Sequence, residues 1–304
     1  MKNVPSYTKV MNLGSYRTEN ALVGEVILQE KVDGSQFGAG VNEDGDVVVR
    51  SHNRVMEIDS PDKMFKLGVD HIKSMEKEFK SLGSDFYCYF EYLNKSHHNT
   101  LNYDRVPKGN LVLFDCLSNG KWVTREALED VASELKVDII PELYRGIADI
   151  DKIKELLVTP SYLGNENIEG VVVKNYNQTI LIGGQLFPLF TKYVREEFKE
   201  RHNTEWKSQS PKGALMDYID SFKTEARWEK ALQHLKEKDE IENELRDIAK
   251  LVPRVMDDIK EEESDNIKEF LYKKFIGDIT RTSTRGLPEW YKGKLLGNVI
   301  VRGK

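Results

Sequence analysis

Lys31 stands between two acidic residues and just ahead of a glycine, in the stretch Glu30-Lys31-Val32-Asp33-Gly34-Ser35-Gln36-Phe37. An amine in a partly dehydrated site loses its proton more readily, and the free amine is a nucleophile. A lysine that attacks phosphorus needs such a site, with backbone that can approach a phosphate, which Gly34 permits. The preceding Val26-Ile27-Leu28 reads as a buried strand, so Lys31 is expected where a strand ends. Lys-x-Asp-Gly is a short and permissive pattern by itself. Its weight comes from the residues that follow it in order.

Arg50 comes 19 residues later, at the end of Val47-Val48-Val49. It is either a cation aimed at a phosphate or a solvated strand terminus. Glu91 sits in the aromatic run Tyr89-Phe90-Glu91-Tyr92-Leu93, where a buried carboxylate is costly unless paired. It either faces solvent by alternation or accepts bonds from ligand hydroxyls in a site. Phe114 in Leu111-Val112-Leu113-Phe114-Asp115 is plain core or a platform for a base, a contact worth ~1–3 kcal/mol. In Glu169-Gly170-Val171-Val172-Val173-Lys174, alternation separates Val171 and Val173 from Gly170, Val172 and Lys174. Glu169 at the strand start suits a hydrated cation, and Lys174 at the other end can reach a phosphate. The plain alternative is a strand with charged ends. Lys192 again follows apolar residues, in Phe190-Thr191-Lys192-Tyr193-Val194-Arg195. His97, His98 and Asn99 have no Cys or carboxylate at zinc-ligand spacing, so they are assigned a structural or hydrogen-bonding role in a loop.

These residues need strands to hold them. Strand-like runs cover Gly24–Glu30, Asp46–Ser51, Phe86–Leu93, Leu111–Leu117, Ile168–Lys174 and Leu186–Tyr193, with a hairpin turn at Asn42-Glu43-Asp44-Gly45. One helix is expected from Ser60-Pro61 through Phe65, Val69, Ile72, Met75 and Phe79, and another after Thr124. Strands and helices do not alternate strictly, which predicts an antiparallel-rich α+β domain. Beyond about residue 205 the strand signal fades. Trp228, Leu232 and Leu235, then Ile241, Leu245, Ile248 and Val252, then Ile267, Phe270, Leu271 and Phe275 recur at helical spacing. They are expected to form the core stripes of an all-helical C-terminal domain, 204–304. The first domain is then 1–203, with the boundary at Asn203–Lys212.

The chain has 304 residues, 39% of them apolar, enough for two domains. Its net charge of −6 gives no global sign of a nucleic-acid binder, although 45 Lys and Arg leave room for a local basic groove. Cys88 and Cys116 lie in apolar runs and are read as reduced core residues. No run approaches membrane-spanning length, and Met1-Lys2-Asn3-Val4-Pro5 opens no signal peptide. A soluble, cytoplasmic protein is expected.

Taken together, Lys31-x-Asp33-Gly34, Arg50, Glu91, Phe114-Asp115, Glu169-Gly170-x-x-x-Lys174 and Lys192 stand in the order of the covalent nucleotidyltransferase motifs, across some 160 residues. The chain resembles polynucleotide ligases of that superfamily, most of all the RNA ligase 2 type. That type has an adenylyltransferase domain followed by a small helical domain. The C-terminal third lacks the strand-rich pattern of an OB-fold, which typical DNA ligases and capping enzymes carry there. The resemblance implies an ATP-dependent RNA ligase that uses Mg²⁺, with Mn²⁺ as substitute, on RNA with 5′-phosphate and 3′-hydroxyl ends. By the same resemblance Lys31 forms lysyl-AMP, Glu91 binds the ribose and Phe114 stacks on adenine. Arg50, Gln36 and Glu30 join the nucleotide contacts, Lys174 and Lys192 neutralise phosphates, and Asp33 and Glu169 hold water on the metal. Val194 stands where related ligases have a second lysine, with Arg195 beside it as the candidate substitute. Attack at neutral pH requires the Lys31 pKa to fall about two pH units below its usual 10.4. A DNA ligase of unusual build and an inactive module that binds nucleic-acid ends are the competing readings.

Overall fold

The β-branched and aromatic runs of the first two thirds pair into two sheets in the computed structural model, which describes residues 3–15, 17–182, 184–199 and 211–302. One sheet has the order β1 (Met11–Asn12), β12 (Gln185–Val194), β11 (Gly170–Ile182), β2 (Glu25–Lys31), β10 (Glu142–Ile147). The other runs β5 (Val55–Met56), β4 (Val47–Ser51), β3 (Ser35–Val41), β6 (Phe86–Tyr92), β7 (Leu111–Ser118), β8 (Lys121–Trp122), with β9 (Asp138–Ile139) beside β7. Only the two-residue strands β1 and β9 pair in parallel, so the expected antiparallel-rich α+β domain is present. β3 was not expected. Its sequence Ser-Gln-Phe-Gly-Ala-Gly-Val is poor in β-formers, and pairing on both sides overrides that weakness.

Helices cover one face of each sheet. α1 (Lys66–Ser74), α2 (Glu76–Ser81) and α3 (Arg125–Glu134) pack Val69, Ile72, Phe79 and Leu128 onto Phe37, Val49, Phe90 and Leu113. The single helix expected after Ser60 is broken at Met75, whose φ of −112° ends α1 and starts α2. Its five apolar positions are nonetheless all buried. Thr124 caps α3 by accepting from the Ala127 amide. α4 (Ile150–Leu156) sets Ile153 against Val26, Leu28, Val171 and Val173 of the first sheet. The other faces of the two sheets meet where Lys174 of β11 reaches Asp115 of β7 and Phe190 of β12 packs edge-on to Trp122 of β8. Cys88 and Cys116 lie directly opposite in β6 and β7, as buried free thiols.

The C-terminal region is helical, with α5 (Pro211–Asp220), α6 (Glu225–Glu237), α7 (Ile248–Ser283) and α8 (Leu287–Arg302). Most of the expected boundary, residues 203–210, lies outside the described residues. The expectation of continuous core stripes is corrected. Leu235 is buried, but Trp228, Ile248, Val252 and Leu271 are exposed, and Leu245 is 88% exposed. The reason is length. At 36 residues α7 far exceeds α5 and α6, so among the described residues much of its apolar surface stays exposed. The helical repeat also does not run through Ile241, because α6 stops at Glu237. The interior place goes instead to Arg227, fully buried, which donates to Asp258 and, at 2.9 Å, to Glu263. Among the described residues no helix is long and apolar enough to cross a membrane.

Candidate active site

Lys31 is the last residue of β2 and Ser35 the first of β3, so Val32-Asp33-Gly34 carries the chain from one sheet to the other. This crossover puts Lys31 where the chain passes between the two sheets. In the β2–β11 register Gly170 lies opposite Lys31, which brings the preceding Glu169 alongside it. Lys31 Nζ is 2.5 Å from Glu169 Oε2. Glu91 arrives through β6, where it pairs with Gln36 of β3. Gly34 was expected to admit a phosphate; the structure gives its bare backbone another use. A Cβ there would lie 2.7 Å from the Tyr92 carbonyl and 2.8 Å from Glu91 Cγ. Gly170 is as tight, its Cβ position 2.4 Å from the Tyr193 carbonyl. Both glycines let β-strands approach closely beside the lysine.

The electrostatics of the ligand-free site oppose the simplest expectation for the amine. Burial favours neutral Lys31, but Glu169, Glu91 and Asp33 together outweigh it and hold its pKa above the ordinary value. Lys31 therefore rests as an ammonium. The lowering that attack requires must come from positive charge that takes over these carboxylates. Burial pushes Glu91 up to about 8 and Glu169 up to about 7, with Lys31 opposing in both cases. The fold thus binds a proton at Glu91 between about pH 4.5 and 8. The stability linked to the protonated form is complete at low pH and is lost as pH rises through about 8. Glu91→Gln should accordingly stabilise the fold by on the order of 1–2 kcal/mol at pH 9 and leave it unchanged at pH 4. Urea denaturation at the two pH values checks this. Equal effects at both would show that Glu91 carries no buried-charge penalty.

A loop wraps the crossover. Asp33 Oδ2 accepts from the Thr100 and Leu101 amides, both at 2.8 Å, and Oδ1 accepts from Asn99 at 3.2 Å. The Asp33 amide donates to Tyr103 Oη at 2.8 Å. His98 Nδ1 accepts from the Asn94 amide, so its Nε2–H faces Ser35 Oγ at 2.9 Å. Burial lowers the His98 pKa to about 4, and the ring is neutral. His98 and Asn99 thus take the hydrogen-bonding role assigned to them. Asp33 anchors this loop with its carboxylate, which makes it a brace for Lys31.

Three residues expected to touch nucleotide are committed to protein groups. Glu30 points to the other side of β2 from Lys31 and accepts from Ser161 Oγ and the Tyr162 amide. Arg50 donates to the carbonyls of Val4, Ser51 and His52 at 2.9–3.0 Å, which ties the N-terminal segment to β4. Lys174 is 1% exposed and donates to Asp115 Oδ2 at 2.9 Å and to the Phe114 carbonyl at 2.6 Å. Burial lowers its pKa, and Asp115 offsets part of that. Arg195 pairs with Glu197 at 2.8 Å, while its amide donates to the Glu169 carbonyl. Its backbone therefore steadies Glu169.

Of the remaining expected residues, Lys192 and Gln36 neighbour Glu169 and Glu91, and Phe114 lies on β7. Lys192 lies opposite Val172 on β12, close enough to lower the Glu169 pKa. Gln36 Oε1 is 2.8 Å from His52 Nδ1. Phe114 is the extra residue of a β-bulge opposite Tyr89 and Phe90, which turns its ring out of the regular alternation. That half-buried ring meets Tyr7 edge-on at 5.0 Å. Sequence reasoning missed Ser35, Tyr103, Gln233 and Glu237. The two helical residues had no signal, because nothing along the chain links α6 to the Lys31 crossover.

Two sheets join at a half-buried lysine, with carboxylates from both beside it. An RNA ligase family model matches residues 24–194, and the chain belongs to the RNA ligase family. Among solved structures the chain is similar to Naegleria gruberi RNA ligase with pyrophosphate, at 17% identity and a TM-score of 0.47, over 62% of this chain and 56% of that one. A mutant of the same ligase with AMP and manganese aligns at 15% identity and a TM-score of 0.48, over 63% and 56%. The chain thus spans little more than half the length of these solved proteins. No curated protein matches it.

Proposed function

We infer that this chain is an ATP-dependent RNA ligase that joins 3′-hydroxyl and 5′-phosphate ends through adenylylated Lys31. The observation that carries this is Lys31 at the crossover of two sheets, 2.5 Å from Glu169 and flanked by Glu91, within the segment that matches the family. Neutral Lys31 Nζ attacks the α-phosphate of ATP. The N–P bond forms as the bond to pyrophosphate breaks, and Glu169, 2.5 Å from the amine, is the adjacent acceptor for the lysine proton. The AMP passes to a 5′-phosphate, and a 3′-hydroxyl then displaces it to seal the strand. Lys192 faces the phosphates, Glu91 and Gln36 the ribose, and Phe114 the base.

The donor set fits a hard divalent cation. Glu169 and Glu91 are oxygen donors, and burial raises the pKa of both, so bound positive charge would favour their ionised forms. Among the described residues no three His, Cys, Asp or Glu form a cage, which suits Mg²⁺ or Mn²⁺ held by one or two carboxylates and substrate phosphates. When bound, the ion supplies positive charge to the phosphates and relieves the carboxylates that keep Lys31 protonated.

Sealing of nicked duplexes with RNA or DNA on the 3′-hydroxyl side tests the reading. The RNA-ended nick should be joined with ATP and Mg²⁺ at least ~10-fold faster than the all-DNA nick, as expected where a site contacts the 2′-hydroxyl. Equal sealing of the DNA nick overturns the RNA preference. Tight binding of ends with no ATP consumed favours an end-binding module.

A further inference from the structure

The Lys31–Ser35 crossover is also held from the helical region. Ser35 Oγ donates to Glu237 Oε1 at 2.6 Å and accepts from Gln233 Nε2 at 3.0 Å and from His98 Nε2 at 2.9 Å. Gln233 Nε2 also reaches the Gly34 carbonyl at 3.2 Å and Glu237 Oε1 at 2.9 Å. Ser35 and Glu237 are buried, 2% and 8% exposed. A hydroxyl has one proton and two lone pairs, and here all three are used. Gln233 and Glu237 sit one turn apart on α6, about 200 residues from the crossover and outside the family match at 24–194. The loop Asn94–Tyr103 grips Asp33 and Gly34 from one side; α6 grips Gly34 and Ser35 from the helical side.

We propose that Gln233 and Glu237 are positioning residues for lysine adenylylation: they fix Gly34 and Ser35 from the helical region and so set how Lys31 is presented. The proposal rests on the reading of Lys31 as the nucleophile. Removing the Glu237 carboxylate strands the Ser35 proton and one Gln233 donor where water has little access, and the crossover must shift to satisfy them. Misplacement by ~1 Å costs ~100-fold in rate when the reacting groups are held for in-line attack. Glu237 touches neither nucleotide nor lysine in this account, so its removal changes the rate of attack more than the affinity for ATP.

Single-turnover labelling of the full chain with α-labelled ATP and Mg²⁺ tests this. Glu237→Ala and Gln233→Ala should slow labelling at saturating ATP by ~10–100-fold, with half-saturation moved less than ~3-fold. Glu237→Gln keeps an acceptor for Ser35 and should recover to within ~3-fold of the natural chain. Ser35→Ala combined with Glu237→Ala should be no slower than the slower single change, since both break one contact. If Glu237→Ala fails to fold, Gln233→Ala and the double change of Ser35→Ala with Gln233→Ala carry the test. Variants that melt earlier but label at the natural rate overturn the proposal, as do losses that multiply. An unlabelled natural chain overturns the reading of Lys31 itself, and the proposal with it.

Discussion

Lys31→Ala should take no label from α-labelled ATP, a loss of more than about 10³-fold that reaches background, as expected when a covalent nucleophile is removed. Lys31→Arg is the more discriminating change. It keeps a cation beside Glu169, Glu91 and Asp33, so the carboxylate cluster stays compensated and the melting temperature should stay within a few degrees. A guanidinium does not lose its proton in proteins, so it cannot attack phosphorus, and labelling should be as low as in Lys31→Ala. Label on Lys31→Arg at the natural rate would move the nucleophile elsewhere. The same chemistry sets a pH dependence. Because the carboxylates hold the Lys31 pKa up in the ligand-free site, labelling at subsaturating Mg²⁺ should rise with pH, and saturating Mg²⁺ should shift that rise to lower pH.

The second large effect is on stability. Lys174 and Asp115 are both 1% exposed, and Asp115 also accepts from Tyr7 Oη at 2.8 Å. Removing one partner of a buried pair leaves the other charge uncompensated, so Lys174→Met should cost about 3–5 kcal/mol. Adding Asp115→Asn restores a neutral acceptor for Tyr7 and should recover a substantial part of that loss. Urea denaturation with an unchanged slope reads both. A Lys174→Met chain of natural stability that fails to take label would return Lys174 to the phosphates.

Much of the fold was legible because strand alternation and apolar spacing are local properties. β2, β4, β6, β7 and β12 fall within a few residues of the expected runs, β11 starts as expected but continues well past Lys174 to Ile182, and Thr124 announced α3. β3 was hidden by its glycines. The helical repeat was legible as helix and misleading as core, because spacing reports which residues share a face and says nothing of whether another element covers it. Trp228 and Leu245 fit the helical repeat and stay in solvent on separate elements, while charged Arg227 is inside.

For the site the division is similar. By itself the sequence determined that a lysine ends a strand beside a glycine, that carboxylates end or interrupt other strands, and that these follow one another in the order of a ligase. Residue type and order suffice for that. Only the tertiary structure decided which charges meet. Glu169 and Glu91 converge on Lys31, whereas Lys174 turns to Asp115, Arg50 to three carbonyls and Glu30 to Ser161. A charged side chain takes whichever compensating partner the packing brings within reach, and that partner is set by strand register and by α6 folding back on Ser35, neither of which is written locally in the chain.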